Sequence, residues 1–307
     1  MIHLRITCPA DLSERVVELL DGEADVHNVV FAPGVVRKPQ GDAFQCDVRR
    51  RSANRLLDVL ADLGVSDRGS IVLENVDTAV GLPEPIGRFG ARYREFEPVW
   101  PQVEARIVEA GTYPPSWFLL MAIAGTIGGV GVLTNSQILI VGAMVVGPEY
   151  GAMIAMAWGI TRRDRTRVLD AAIALALGFA LAIASAFALG LLIRALGQTP
   201  PAFEAGVRPV SQLIDSPNVF SFIVALVAGI VGVVSLTTAR ASTLIGVFIS
   251  VTTIPAAADL GLSGAYGNWS DADGSFFQLL MNVVVLTVVG VIVLLVQRRA
   301  WGGLHRR

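Results

Sequence analysis

The sequence predicts a multi-domain chain, with an N-terminal α+β domain of ferredoxin-like type followed by an all-α membrane bundle of six transmembrane helices in a 3+3 inverted repeat. Three observations predict it. Hydrophobic residues fill 53% of 307 positions and charged residues only 16%, well below the roughly 25% charged content of soluble domains. The charges crowd ahead of Ser116, after which the chain reads as successive apolar runs. Two of those runs, "FLLMAIAGTIGGVGVLT" from Phe118 and "FIVALVAGIVGVVSLTT" from Phe222, align without a gap. The expected boundaries are 1–78 for the first domain, 79–115 for a charged connector, 116–298 for the membrane domain with repeats 116–196 and 218–298, and 299–307 for a basic tail.

In the first domain, "IHLRIT" alternates as a strand does, and "DLSERVVELLDG" carries Leu12, Val16, Leu19 and Leu20 at helical spacing behind Asp11 as N-cap. "VHNVVFA" and "AFQCDVR" flank the turn-rich "PGVVRKPQGD", which suggests a hairpin with a long loop. "SANRLLDVLADLG" reads as a second helix closed by Gly64, and "SIVLENV" as the last strand. This order is that of a split βαβ domain. Its function is either effector binding or pairing between copies, since fold alone does not give function. Met1 to Cys8 has neither a basic start nor an apolar core of signal-peptide type, so a cytoplasmic domain is expected. In that reducing setting Cys8 and Cys46 read as small core residues.

The connector places Trp100, Val103 and Ile107 at helical spacing among charges, as a helix at the membrane surface or a plain helical linker. Six spans follow from the length that a bilayer requires: Trp117–Leu133, Ile138–Ile160, Val168–Leu196, Asn218–Thr238, Ala241–Leu262 and Phe277–Val296. Spans one and two are joined by "TNSQ", and four and five by "TARA". With the N-terminus inside, the inner segments hold "TRRDRTR", Arg240 and "QRRAWGGLHRR", while the outer ones hold Arg194 and Arg208 beside Asp215, Asp271 and Asp273. The positive-inside rule then gives both termini a cytoplasmic position in a bacterial-type cytoplasmic membrane. Arg240 and Asp259, flanking the fifth span, read as interfacial.

The aligned halves match Phe118 with Phe222, Ala124 with Ala228, Gly125 with Gly229, Gly128 with Gly232, Thr134 with Thr238 and Gly142 with Gly246. Three spans per copy, an odd number, make the second copy cross in the opposite sense, and paired interrupted helices then mark the solute site. Those helices carry "VVGPEYGAM" and "VTTIPAAAD". Glu149 lies inside the first, where a carboxylate is costly unless it faces a polar cavity and binds a cation, carries a proton or orients a solute. The plainer reading is a protonated carboxyl hydrogen-bonded in a packed bundle. The candidate solute or ion site comprises Gly147, Pro148, Glu149, Tyr150, Gly151, Thr252, Thr253 and Pro255, with Asn135, Ser136 and Asn282. Asn135 and Ser136 read equally as a cap of the second span, and Asn282 as an interhelical hydrogen-bonding group.

"TNSQILIVGAMVVGPEYGAMIA", the run from "AGVRPV" to "TTIPAAADLG" and "QLLMNVVVLTVVGVIVLLVQRR" resemble the domain-of-unknown-function 389 family of bacterial and archaeal hydrophobic membrane proteins. The likeness rests on Asn135, Ser136, Gly142, Ala143, Met144, Pro148 and Gly151. The chain departs from the family's pattern at Glu149 and Tyr150, where apolar residues are common, and at Ala256, where a second proline often stands. The resemblance implies the architecture and supplies no substrate.

Enzyme chemistry is not expected. His3, His27 and His305 all fall outside the spans, so an intramembrane metal or haem site lacks ligands. Lys38 is the sole lysine and stands in "VRKPQ", not in a P-loop. No cofactor and no metal is expected, and a net charge of −2 gives no reason for a nucleic-acid partner. The expected partners are the lipid bilayer, an unknown small solute or ion, and further copies of the chain in a homo-oligomer. Two functions remain, a gradient-driven transporter or channel, and a membrane-anchored sensor or oligomeric scaffold with a cytoplasmic effector-binding domain.

Overall fold

A computed structural model describes residues 1–76, 97–205, 218–238 and 253–302. The chain divides into two compact units, Met1–Glu104 and Ala105–Arg307.

The first unit runs β1 (Ile2–Cys8), α1 (Ala10–Gly22), β2 (Val26–Arg37), β3 (Gln40–Val48), α2 (Arg50–Asp62), a short α3 (Val65–Arg68) and β4 (Ser70–Asn75). The strands form one antiparallel sheet in the order β2-β3-β1-β4. β1 lies inside the sheet and buries every second residue, Ile2, Leu4, Ile6 and Cys8. These pack with Val16 and Leu20 of α1 and Ala53, Leu56 and Leu60 of α2. Cys46 faces Leu4 across the β1–β3 ladder, and burial pushes its thiol up to about 12. Both cysteines are free and buried, as small core residues.

Two local expectations are corrected. The N-cap of α1 is Pro9, not Asp11, because the preset φ of proline starts the helix earlier. Asp11 sits in the first turn and takes two hydrogen bonds from Arg68 at 2.8 and 2.9 Å. The long hairpin loop is mostly strand, since β2 runs on to Arg37 through register shifts between His27 and Val30 and between Ala32 and Val36. Gly34, at φ 67°, absorbs the second shift, and its N–H donates to Asp42 at 2.7 Å. Gly64, left-handed at φ 80°, does stop α2.

The connector helix α4 (Trp100–Ala110) starts in the first unit and ends in the second. The Asn54 amide fixes its entry by donating to Glu97 and to Pro98 O, both at 2.9 Å, and its oxygen accepts from Trp100 N at 3.0 Å. Of its apolar stripe, Val103 and Ile107 are buried.

The second unit is helical: α5 (Pro115–Leu133), α6 (Gln137–Val146), α7 (Glu149–Arg162), α8 (Arg165–Ala195), α9 (Pro201–Glu204), α10 (Val219–Thr237), α11 (Ile254–Tyr266) and α12 (Trp269–Gly302). Among the described residues, α5, α8, α10 and α12 are each long and apolar enough to cross a membrane. The pair α6–α7, bent by 50°, makes a fifth if counted as one span. Large side chains such as Leu169, Leu177, Phe220 and Val227 point outward, as lipid-facing residues do, and the unit is consistent with a membrane protein. The expected fifth span begins within 239–252, outside the described residues, as does Arg240. Its described part, α11, runs to Tyr266 and buries Asp259 to 1% exposure. Asp259 is therefore a core residue and not an interfacial one, because the helix continues past Leu262.

Several helix ends recur at a shift of 104 residues. α5 and α10 are each 19 residues long and start 104 positions apart. α7 and α11 end at Arg162 and Tyr266, and α8 and α12 begin at Arg165 and Trp269, again 104 apart. Both turns leave through a left-handed residue, Arg163 at φ 59° and Gly267 at φ 75°. The same bond closes each: Asp164 N–H to Gly159 O at 2.9 Å, and Asn268 N–H to Ser263 O at 2.8 Å. The packing corresponds too. A methyl group at Gly125 would lie 2.7 Å from Ala182 Cα and from Ser185 Oγ of α8, and one at Gly229 would lie 2.9 Å from Val289 of α12. α11 packs on α8, and α7 packs on α12.

Candidate functional site

The break between α6 and α7 follows from its residues. Gly147 caps α6 in an extended conformation, and Pro148, without an N–H, begins a new helix at Glu149. Glycine at 147 leaves room for this packing, since a Cβ there would meet Glu149 Oε2 and come within 2.7 Å of Ile254. Trp117 Nε1 donates to Pro148 O at 3.3 Å, so a carbonyl freed by the break finds a partner.

Glu149 is 1% exposed and Thr253 is 0% exposed. The Thr253 hydroxyl donates to Glu149 Oε1 at 2.8 Å. Glu149 opens α7, and Thr253 is the N-cap of α11, whose first turn holds Pro255. The carboxyl is thus set at the starts of two helices, where backbone N–H groups favour negative charge. Both sit against the main apolar core of the unit, which includes Ile254, Ala143 and Ala152.

A recess of about 320 Å³ reaches this break from one side, lined by Glu109, Thr112, Ser116, Trp117, Pro148 and Gly151. Gly151 lies against the connector, where a Cβ would meet Ala110 O at 2.8 Å. The Tyr150 hydroxyl is buried and makes no hydrogen bond among the described residues.

The other expected site residues divide. Asn135, left-handed at φ 52°, and Ser136, whose hydroxyl accepts from Leu139 N at 3.4 Å, build the turn between α5 and α6. Ser136 is the N-cap of α6, and ten residues of helix, about 15 Å, separate this turn from Gly147. The structure therefore separates these two from Glu149. Asn282, 0% exposed, lies on α12, which packs on α11. Thr252 lies outside the described residues.

Sequence reasoning missed Asp259 and its partner. Ser275 Oγ, fully buried on α12, donates to Asp259 Oδ2 at 2.6 Å. A signal existed in "TTIPAAADLG", an acid four positions past the proline in an apolar run.

The family model described as Domain of unknown function (DUF389) matches residues 144–288, which hold Glu149, Thr253, Asp259 and Asn282. This stretch is similar to the DUF389 family. The DUF389 match covers α7 to α11 and most of α12, including both helix starts at the buried carboxyl. No curated protein and no solved structure matches the chain.

Proposed function

We propose that this protein is a gradient-driven transporter or channel for a small solute or ion, with its site where two broken helices meet at Glu149. One observation carries the reading. Glu149 and Thr253 stand 104 positions apart, the shift that relates the two halves, and are hydrogen-bonded at the buried starts of two helices. Equivalent half-helix starts converging on a charged group are the arrangement of inverted-repeat transporters.

The architecture in this reading is six spans in a 3+3 inverted repeat. Support comes from the shift of 104 that recurs at several helix ends and from the exchange of partners, α11 on α8 and α7 on α12, which a two-fold axis between halves produces. With three spans per half, the sense of crossing reverses. Trp158 supports the orientation, since Arg162 of the "TRRDRTR" turn and Arg298 near the end of α12 both lie over its ring, at 4.9 and 5.9 Å. Both basic clusters then share one face, the cytoplasmic one under the positive-inside rule. The chain is a non-enzyme in this reading and uses no cofactor.

The β-α-β-β-α-β order with β1 and β3 inside the sheet supports a ferredoxin-like domain. The edge strand β2 exposes Val29, Val30, Phe31 and Val35, which supports self-association and keeps a scaffold role as the second reading.

The test is ion and solute flux in vesicles for wild type, Glu149→Gln and Glu149→Leu. Glu149→Gln keeps the shape and loses the charge, so it folds and loses or uncouples flux. Glu149→Leu raises thermal stability by removing a buried carboxyl and abolishes flux. Wild-type flux in Glu149→Leu would assign the residue to packing alone.

A further inference from the structure

Asp259 is a second buried carboxyl in the membrane unit, apart from the Glu149–Thr253 contact. Its Oδ2 accepts from Ser275 Oγ at 2.6 Å, and both residues are at most 1% exposed. The polar character continues along α12. Gln278 is 2% exposed, its Oε1 accepts no hydrogen bond among the described residues, and Asn282 is 0% exposed. Spacings of three and four put Ser275, Gln278 and Asn282 on one face of the helix. Because α11 and α12 run antiparallel, this row follows α11 from Asp259 back toward Thr253, a rise of about 9 Å.

The first half shows that packing does not require these groups. At the equivalent positions it has Ala155 for Asp259, Ala171 for Ser275, Ala174 for Gln278 and Gly178 for Asn282, all buried. The same interface is thus built once from small apolar residues and once from four polar ones. Buried polar groups inside a membrane are expensive, and one half alone bears them.

We propose that Asp259, Ser275, Gln278 and Asn282 form a proton track from the Gly267 end of the membrane unit to Glu149, making the proton the coupled ion. This rests on the transport reading of Glu149. The Asp259 carboxylate takes a proton and becomes neutral. It then passes the proton to the Glu149 carboxylate through water molecules hydrogen-bonded by Ser275, Gln278 and Asn282, and returns to its charged form. On the elements packed against α11, the charged groups are Arg165, Arg167, Asp170 and Arg194 of α8 and Asp271, Asp273, Arg298 and Arg299 of α12, with none on α5 or α6. Asp271 is one turn before Ser275, and Arg194 donates to Ala265 O at 3.2 Å, so both stand toward the Gly267 end of α11 and α12.

The test is proton flux into vesicles of phosphatidylcholine and phosphatidylglycerol holding the full chain, driven by a potassium diffusion potential and read with an internal pH dye. Wild type should conduct protons. Asp259→Asn should lose at least about tenfold, as should Glu149→Gln. Ser275→Ala and Gln278→Ala restore the residue types of the first half, so they should fold normally and slow the flux. Wild-type flux in Asp259→Asn together with lost flux in Glu149→Gln would overturn the track and leave the Glu149 site standing. A wild-type protein that moves no protons would overturn proton coupling while leaving flux of another ion to test Glu149. If Asp259→Asn fails to fold, unchanged flux in both Ser275→Ala and Gln278→Ala overturns the track.

Discussion

The Thr253 hydroxyl donates to Glu149 Oε1 across 2.8 Å, and the two residues stand 104 positions apart, the spacing at which α5 and α10 start. Thr253→Val keeps the shape and removes the donor, so a buried carboxyl oxygen loses a hydrogen bond at a cost of roughly 1–3 kcal/mol. Thr253→Ser should retain most of the stability. Thermal melting in detergent checks this, and equal melting of Thr253→Val and wild type would mean the contact contributes nothing.

Close approach between helices gives a second prediction. Gly125→Val and Gly229→Val push side chains into α8 and α12 and should each destabilise by about 1–3 kcal/mol. Gly142→Ala, which meets nothing within 4 Å, should melt as wild type does. Equal melting of all three variants would contradict the packing described for the two helix pairs.

The first unit should show acid sensitivity at Asp25. Hydrogen bonding from Arg51 Nε at 2.7 Å, then from Ser52 at 2.5 Å, outweighs burial and holds its carboxyl below the usual range. A depressed folded value gives stability that is present above the unfolded value of about 3.9 and is lost as pH falls through the folded one. Asp25→Asn in a Met1–Glu104 fragment should cost roughly 1–2 kcal/mol at neutral pH, and the gap should close on acidification. Chemical denaturation at a series of pH values reads it, and a gap that is constant with pH would refute it.

Much of this architecture is legible in the sequence, for physical reasons. α5 and α10 end within two residues of the expected spans, because hydrophobic runs bounded by Pro114 and Thr134, or by Asn218 and Thr238, carry their own stop signals. The break at Gly147–Pro148 is equally local. What pattern does not carry is tertiary. Hydropathy ends the fifth span at Leu262, but the chain stays helical through Ser263 and Gly264 to Tyr266, and that places Asp259 in the core. Asn135 and Ser136 look like site residues by type, but they serve the α5–α6 turn, a role that local spacing supports equally well. The Glu149–Thr253 contact was within reach, since adding the shift between the halves to Glu149 gives Thr253.

If the two halves cross the membrane in opposite senses around Glu149 and Thr253, their corresponding turns lie on opposite faces. Arg165 and Trp269, each the first residue of its long helix and both exposed, are the matched reporters. Neither native cysteine is exposed, so Arg165→Cys and Trp269→Cys can be labelled with an impermeant maleimide in sealed, sided vesicles. Arg165→Cys should label only from the cytoplasmic side and Trp269→Cys only from the opposite side. Labelling of both from the same side would contradict the inverted repeat and the transport site built on it.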